Sequence, residues 1–500
     1  MRRIRASGKQ RNEHRRLQDG PGPFRRQWIC MSSENGKLAA AVHIARMLRE
    51  TGYEAYLAGG CVRDLLLGRA PADYDVATSA TPDVVLRLFE RTFSVGAHFG
   101  VVLVALGDEG NSVVTEVATF RSDGAYLDGR HPDSVRYTEI AEEDVKRRDF
   151  TINGLLLDVN RAAQSAADLR QDVLDFVGGL ADLDAGILRA IGRADTRFEE
   201  DHLRMLRAVR FASRLEFTLA PATMAAIRRN AQSIAQVSRE RVRDELTRML
   251  TEGHARRAFE LLNDTGLLAE VLPEIARMKG VEQPPQYHPE GDVWEHTLRL
   301  LAQLEEGCSA TLAWGALLHD VGKPPTFRRA PDRIRFDGHV DVGVAMAAEI
   351  LRRFRFSNDE TRQILALVEN HMRFADSQRM KDSTLKRFFR LENFKEHLAL
   401  HRMDCLGGGG NLDHWEFVRQ RWLETPAEIV RPVLLVTGDD LIAEGYVPGP
   451  TFKEMLHAVE DAQLEGSIAT QDEGLALVRK RFPKPTNALV PPASSSAHQL

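Results

Sequence analysis

Gly59-Gly60-Cys61-Val62-Arg63-Asp64, followed after a short, mostly apolar stretch by Asp73-Tyr74-Asp75, decides how this chain folds and where its chemistry lies. Acids at i and i+2 on a strand project from one face. Side by side they repel unless a cation sits between them. Mg²⁺ takes hard oxygen ligands and shares them readily with phosphates. A Gly-Gly turn lets backbone N–H groups approach a polyphosphate without a Cβ in the way. The pair therefore describes a site for two metal ions, a triphosphate and an attacking hydroxyl.

The surrounding pattern mixes helix and strand. Leu38–Glu50 has helical apolar spacing, Tyr53–Ala58 reads as a strand running into the Gly-Gly turn, and Val62–Leu67 as a short helix. Tyr74–Val76 carries the acids, and Thr81-Pro82-Asp83 opens another helix, with Thr as N-cap and Pro in the first turn. Val101–Leu106 and Ser112–Phe120 form an expected hairpin, residues 121–148 a polar loop, and Ile152–Val159 a further strand. Glu116, on an antiparallel strand expected beside the acid strand, is the candidate third carboxylate. From about residue 186 the strand signals stop. Residues 272–292 read as a linker, residue 294 to about 421 as helical, and 437–482 as a last small helical unit.

Composition sets the class. With 43% hydrophobic and 28% charged residues over 500 positions, the chain is globular and long enough for more than one domain. No apolar run reaches the ~18–20 residues a membrane-spanning helix needs. Cys30, Cys61, Cys308 and Cys405 lie far apart without a CxxC pair, which speaks for a reducing, cytoplasmic setting. Net charge is −5, yet residues 1–30 hold nine Arg/Lys against two acids, leaving about −12 for the remainder. That basic start, residues 1–31, is expected to be a disordered extension, with Met31 as an alternative start; the Pro/Ala/Ser-rich 483–500 is expected to be disordered too. Residues 189–257 carry fifteen Arg, no Lys and nine acids, a local excess suited to an RNA backbone.

Two further clusters carry chemistry. Arg147-Arg148-Asp149-Phe150-Thr151-Ile152-Asn153-Gly154 packs cations, an acid and an amide before a strand, suited to neutralising phosphate and bonding a ribose hydroxyl. In Glu200-Asp201-His202-Leu203-Arg204-Met205-Leu206-Arg207, Asp201 and Arg204 at i, i+3 would share a helix face. An acceptor beside a donor fork matches the edges of cytosine and adenine; guanine and uracil present the opposite polarity.

These motifs, with Asp175–Leu183 and Ser238–Val242, occur in one order across residues 50–250, and the chain resembles class II CCA-adding tRNA nucleotidyltransferases and bacterial poly(A) polymerases of the polymerase-β superfamily. The resemblance implies Asp73 and Asp75 as metal ligands, read here as Mg²⁺ ligands that Glu116 would assist from its strand, and Asp201/Arg204 as a protein template for CTP and ATP. It places Asp123–Arg130 in a loop that helps switch from C to A. The expected nucleotide-binding set is Gly59, Gly60, Arg63, Arg148, Asp149, Asn153, Asp201, Arg204 and Arg207, with Arg239, Arg241 and Arg243 on the tRNA, whose 3′ end is the partner. Poly(A) polymerases carry a basic pair near Ser94–Phe99; Ala97-His98 stands here, which favours tRNA. Split enzymes adding only CC or only A, and a poly(A) polymerase, stay open as products.

His296, His319-Asp320, His339, His371 and Asp404 are spread over expected helices, and His319-Asp320-Val321-Gly322-Lys323 resembles the HD phosphohydrolase motif. The resemblance implies one or two divalent ions and hydrolysis at damaged RNA 3′ ends; a scaffold that merely keeps inherited ligands, or a hydrolase whose palm only binds RNA, are the alternatives. The expected architecture is α+β: a nucleotidyltransferase palm over 32–185 with a mixed or antiparallel sheet, an all-α neck and body over 186–275, an all-α HD domain over 285–425 and a helical tail over 426–482. His43, His98, His131 and His202 stay unassigned.

Overall fold

Two antiparallel neighbours set the geometry of the N-terminal half: β1 (Ala55–Ala58) runs into the Gly-Gly turn, and β2 (Asp75–Thr78) begins at the second acid, with Ala58 opposite Asp75. The computed structural model describes residues 36–94, 100–107, 112–123, 135–160, 169–286 and 288–484. What the sequence leads one to expect of 1–31, 97–98, the hairpin tip 108–111, 124–130, His131 and 485–500 lies outside the described residues. The described chain forms two compact units, 1–238 with 264–270, and 239–263 with 271–500.

The first unit is built on a seven-stranded sheet. Its other strands are β3 (Thr92–Phe93), β4 (Val101–Leu106), β5 (Val113–Thr119), β8 (Leu156–Leu157) and β9 (Val173–Leu174), in the order β3-β4-β5-β2-β1-β8-β9. Every pairing is antiparallel except β2 with β5, which is parallel with Val76 opposite Val117. The expected antiparallel partner for the acid strand is thus corrected: the β4–β5 hairpin forms as read, but returns to lay β5 alongside β2 in the same direction. The helix Gly36–Glu50 packs on β1, β2 and β5 through Leu38, Ile44 and Leu48, each without exposed surface. Tyr56, Ala58, Ala77, Phe120, Val145 and Leu156 form the core on the sheet. β1, β8 and β2 beyond Asp75 are buried on both faces and read as continuous apolar runs, while β4 and β5 alternate buried with partly exposed positions.

Three local expectations are corrected. Ile152–Val159 is not one strand: Thr151–Asn153 turns as a 3₁₀ helix before the two-residue β8. The loop 121–148 contains the ribbon β6 (Arg121–Asp123) with β7 (Val135–Tyr137) and the helix Ala141–Lys146. Strands do not end at 186, since β10 (Ile187–Leu188) pairs in parallel with β11 (Thr218–Leu219). Helices Ala194–Glu200, Arg204–Arg214 and Pro221–Asn230 complete this unit's second half.

Among the described residues the second unit is helical apart from the short ribbon of β12 (Arg328–Arg329) and β13 (Ile334–Arg335). Ala310–Leu318 is apolar nearly all round, as a helix buried among others must be. It packs on Arg239–Thr251, Val293–Leu301, Asn358–Asn370 and Phe394–Gly407. Gly315 permits one of these approaches, because a Cβ there would lie 2.7 Å from Leu367. Further along, Phe374, Phe388 and Phe394 form an aromatic cluster, and Leu441, Met455, Val459 and Val478 hold the last small unit together. No helix among the described residues is long and apolar enough to cross a membrane.

Candidate active site and metal centre

The sheet register brings the first site together. β1 ends where β2 begins, so the glycine turn lies beside Asp75, and the parallel step from β2 to β5 sets Glu116 beside the same carboxyl. Gly59 has φ +76° and donates its N–H to Leu155 O at 3.0 Å; a Cβ there would meet the Arg148 guanidinium at 3.0 Å. Burial and the charges of Glu116 and Asp73 push Asp75 up to about 6, while Arg148 pulls against them; burial and Asp73 raise Glu116 as well. Asp75 keeps solvent access, so its upward shift is worth less than that of an enclosed group. Asp73 sits just ahead of β2 rather than on it, exposed, with the Lys37 ammonium on its carboxylate at 2.8 Å.

A cleft of about 410 Å³ opens in this unit, and every predicted nucleotide-binding residue lines it: Gly59, Gly60, Arg63, Arg148, Asp149, Asn153, Asp201, Arg204 and Arg207, together with Asp75. The lining also includes Arg147, the first cation of the Arg-Arg motif though not in the expected nucleotide-binding set, and Phe211, which the motifs had not singled out. A buried chain of hydrogen bonds orders the wall. Arg207 donates to Asp149 Oδ2 through Nε at 3.0 Å and Nη2 at 2.7 Å. Asn153 Nδ2 donates to Asp149 Oδ1 at 3.1 Å, and Arg63 donates to Asn153 Oδ1 at 2.6 Å and to Asp64 at 2.8 Å. Burial opposes ionisation of Asp149, yet Arg207, Asn153 and Arg204 hold it down to about 2. Asp144, on the helix before the Arg-Arg pair, was missed. Its two oxygens take a fork each from Arg147 and Arg148, fixing both guanidinium groups at the cleft. Its i, i+3 and i, i+4 spacing to the pair was the available signal.

One helical expectation is corrected. Asp201 does not share a helix with Arg204: it ends Ala194–Glu200 in an extended conformation, its carboxylate accepts Leu203 N at 3.1 Å, and Arg204 starts the next helix. Both still line the cleft. Arg204 is held by Glu200 at 2.7 Å and the Arg147 carbonyl at 3.1 Å. Arg239, Arg241 and Arg243 lie half-buried on Arg239–Thr251 in the second unit; Arg243 pairs with Asp244 at 2.8 Å and stacks over Phe356.

In the second unit, the six dispersed residues converge. His319 Nε2 lies 3.2 Å from Asp320, His339 and His371 Nε2 each 3.8 Å from it, and His296 Nε2 3.0 Å from Asp404. His319, His339 and His371 donate Nδ1–H to the carbonyls of Ala316, Phe336 and Val368 at 2.9, 3.0 and 2.6 Å. That fixes the tautomer, and all three buried Nε2 atoms have no hydrogen-bond partner. Bare imidazole nitrogens facing buried carboxylates are the donor set of a divalent-metal centre. Burial pushes His371 down to about 4 and lowers His339, keeping those rings neutral and able to ligate. Burial opposes charge on His296, but Asp404 and Glu290 raise it to about 9. Lys323 reaches Asp320 and Gln283, each at 2.7 Å. The centre opens into a cleft of about 820 Å³ walled by Phe336, Met372, Arg333 and Arg335. The stretch read as a linker supplies His288 and Glu290, which pack behind His296 and were missed.

Residues 55–189 match the family described as "Poly A polymerase head domain", 216–279 "Probable RNA and SrmB- binding site of polymerase A", and 339–478 "tRNA nucleotidyltransferase domain 2 putative". A CCA-adding enzyme of Geobacillus kaustophilus is 35% identical over 439 residues, covering 87% of this chain and 94% of that protein. The chain belongs to the CCA-adding enzyme family. A Lactobacillus johnsonii member is 41% identical over 266 residues, 52% of this chain and 63% of its own length. The crystal structure of the Bacillus stearothermophilus CCA-adding enzyme in complex with CTP matches with a TM-score of 0.67 at 30% identity, covering 88% of this chain and 97% of that one. As a member of that family the chain is a tRNA nucleotidyltransferase that uses a divalent metal.

Proposed function

We propose that this chain adds C, C and A in turn to the 3′ end of tRNA, from CTP and ATP, with no nucleic-acid template. The observation that carries the reading is the single cleft that holds the glycine turn, Asp75 and the Asp201/Arg204 pair in a chain matching CCA-adding enzymes over most of its length. Asp73 and Asp75 would hold Mg²⁺, which suits an Asp75 carboxyl whose ionisation is hindered by burial and by the charges of Glu116 and Asp73. Bound there, the ion supplies positive charge to the triphosphate and lowers the pKa of an attacking hydroxyl. Glu116 assists as the third carboxylate beside the reacting group. Gly60, at the start of its helix, binds phosphate through its N–H, while Gly59, whose own N–H is taken by Leu155 O, keeps the turn beside the phosphate free of a Cβ, and Arg148, locked on Asp144, meets the developing charge. Asp149 and Asn153, held by Arg207 and Arg63, position the ribose. Asp201 and Arg204 read the base edge. Arg239, Arg241 and Arg243 contribute to holding tRNA.

The test uses tRNA transcripts lacking CCA, ending in C or ending in CC, with CTP, ATP or both, read at single-nucleotide resolution. CCA added to the bare end and then stopping supports the reading. A alone on the CC end makes it a split enzyme, and long A tails on any RNA a poly(A) polymerase.

A second reading rests on the three unpartnered imidazole nitrogens around Asp320. His296, His319, Asp320, His339, His371 and Asp404 would hold one or two divalent ions and hydrolyse phosphoesters at RNA 3′ ends. Metal content by mass spectrometry, and hydrolysis of a 2′,3′-cyclic-phosphate RNA end, separate the sites: His319→Ala abolishes hydrolysis and spares addition, while Asp73→Ala does the reverse. Loss of hydrolysis in Asp73→Ala alone would sink the assignment. Free Cys61, Cys308 and Cys405 support a reducing, cytoplasmic setting.

A further inference from the structure

His296 is held differently from the other three imidazoles of the metal centre. Their Nδ1–H groups rest on main-chain carbonyls three residues back along each chain segment. The equivalent carbonyl for His296, that of Val293, accepts the Thr297 hydroxyl at 2.8 Å, and the His296 Nδ1 turns instead to Glu290 Oε1 at 2.7 Å. Glu290 lies two residues ahead of Asp292, the residue that caps the helix Val293–Leu301, so the cap fixes the approach. The Glu290 side chain has no exposed surface, yet its Oε2 has no partner; the same Oε1 also takes the Nδ1 of His288 at 2.8 Å. A carboxylate closed off from water, with one oxygen unbonded, is a costly arrangement unless it serves the groups it touches.

We infer that Glu290 is a positioning residue for the divalent-metal centre: it sets the His296 ring and its Nδ1 proton so that Nε2 faces Asp404 and Asp320. This rests on the metal reading above. A carboxylate behind an imidazole orients it and strengthens it as a donor, and removing such a partner lowers metal affinity about 10–100-fold. A carbonyl does the first job and less of the second, so among the four rings His296 is the strongest donor, and its loss of support is felt most.

The full chain, stripped with chelator, is titrated with Mn²⁺ by calorimetry and reconstituted with Co²⁺ for its visible spectrum, as wild type, Glu290→Gln, Glu290→Asp and Glu290→Ala. CTP and ATP addition to tRNA reports folding of the first unit, and a far-ultraviolet circular dichroism melt reports the helices of the whole chain, the second unit's included. The expected result is a Kd raised about 10–100-fold in Glu290→Gln and Glu290→Ala, a shifted Co²⁺ band, and partial recovery in Glu290→Asp, with melting unchanged in Glu290→Gln. Binding within twofold of wild type with the same Co²⁺ band in both Glu290→Gln and Glu290→Ala overturns the role of Glu290. A wild-type chain that takes up no metal overturns the metal reading itself, and this inference with it.

Discussion

Replacing Asp75 with Asn should make the metal-free protein more stable while removing its nucleotidyl transfer. Burial, together with the charges of Glu116 and Asp73 beside it, lifts the Asp75 carboxyl in the folded protein to about 6 from the ordinary 3.8. For a carboxyl raised in the fold, the folded chain binds more protons than the unfolded one between those values, so stability falls as pH rises from about 4 to 6 and stays lost above. Two units correspond to about 3 kcal/mol for an enclosed group. Asp75 keeps solvent access, so screening reduces this to about 1 kcal/mol. Asn keeps the shape and drops the charge, recovering that ~1 kcal/mol at pH 8, a melting temperature about 2–4 °C higher for a unit of this size. Magnesium should reverse the order: at ten times its Kd it adds about 1.4 kcal/mol to the protein that binds it. Both proteins are melted with EDTA and with Mg²⁺ on a His319→Ala background, so that the second unit's centre does not contribute, and CTP addition is timed beside them. Transfer should drop about 10²–10³-fold. An Asn variant that melts at or below its parent in EDTA, or gains the same shift from Mg²⁺, would show that these three acids neither repel nor share a cation.

Arg207→Met strands Asp149 buried without its main partner, a cost of about 3 kcal/mol seen in urea unfolding of the first unit. In the wild type the Asp149 pair is fully present above about 4 and is lost as pH falls through about 2, so acid titration should show that step in the parent and a weaker one in the variant. In the second unit, a Cβ on Gly322 would lie 2.1 Å from the His339 carbonyl, so Gly322→Ala should displace that histidine and lower metal uptake at least tenfold without touching a ligand, measured by Co²⁺ titration. His296, raised to about 9, carries a proton that an incoming ion must displace: apparent metal affinity should climb about tenfold per unit between pH 6.5 and 9 and level off above. Calorimetry in two buffers of different ionisation enthalpy counts the released proton; no release at pH 7.5 would contradict the raised His296.

What could be read in advance, and what could not, separates along one physical line. Side chains whose chemistry depends on residue type and local spacing were legible: the Gly-Gly turn and Asp75 meet because two short antiparallel strands leave little freedom in register, and the predicted nucleotide-binding residues all line one cleft. Pairing direction was not legible. The β4–β5 hairpin reads equally well whether it returns beside β2 parallel or antiparallel, and the choice is made by long-range pairing: the parallel step, with the Gly36–Glu50 helix lying over β1, β2 and β5, puts Glu116 next to Asp75. Local structure also yielded to side-chain bonding. Ile152–Val159 is apolar enough for a strand, but Asn153 must meet both Arg63 and Asp149, and that demand turns Thr151–Asn153 into a 3₁₀ helix and leaves two residues for the sheet. The same holds at 201–203, where the Asp201 carboxylate takes the Leu203 N–H and breaks what the apolar spacing continues. Glu290 was invisible for a different reason. Its neighbours Pro289, Gly291 and Asp292 are turn formers, and a turn before a helix is commonly a connection; here the turn itself aims a carboxylate at the His296 of the following helix.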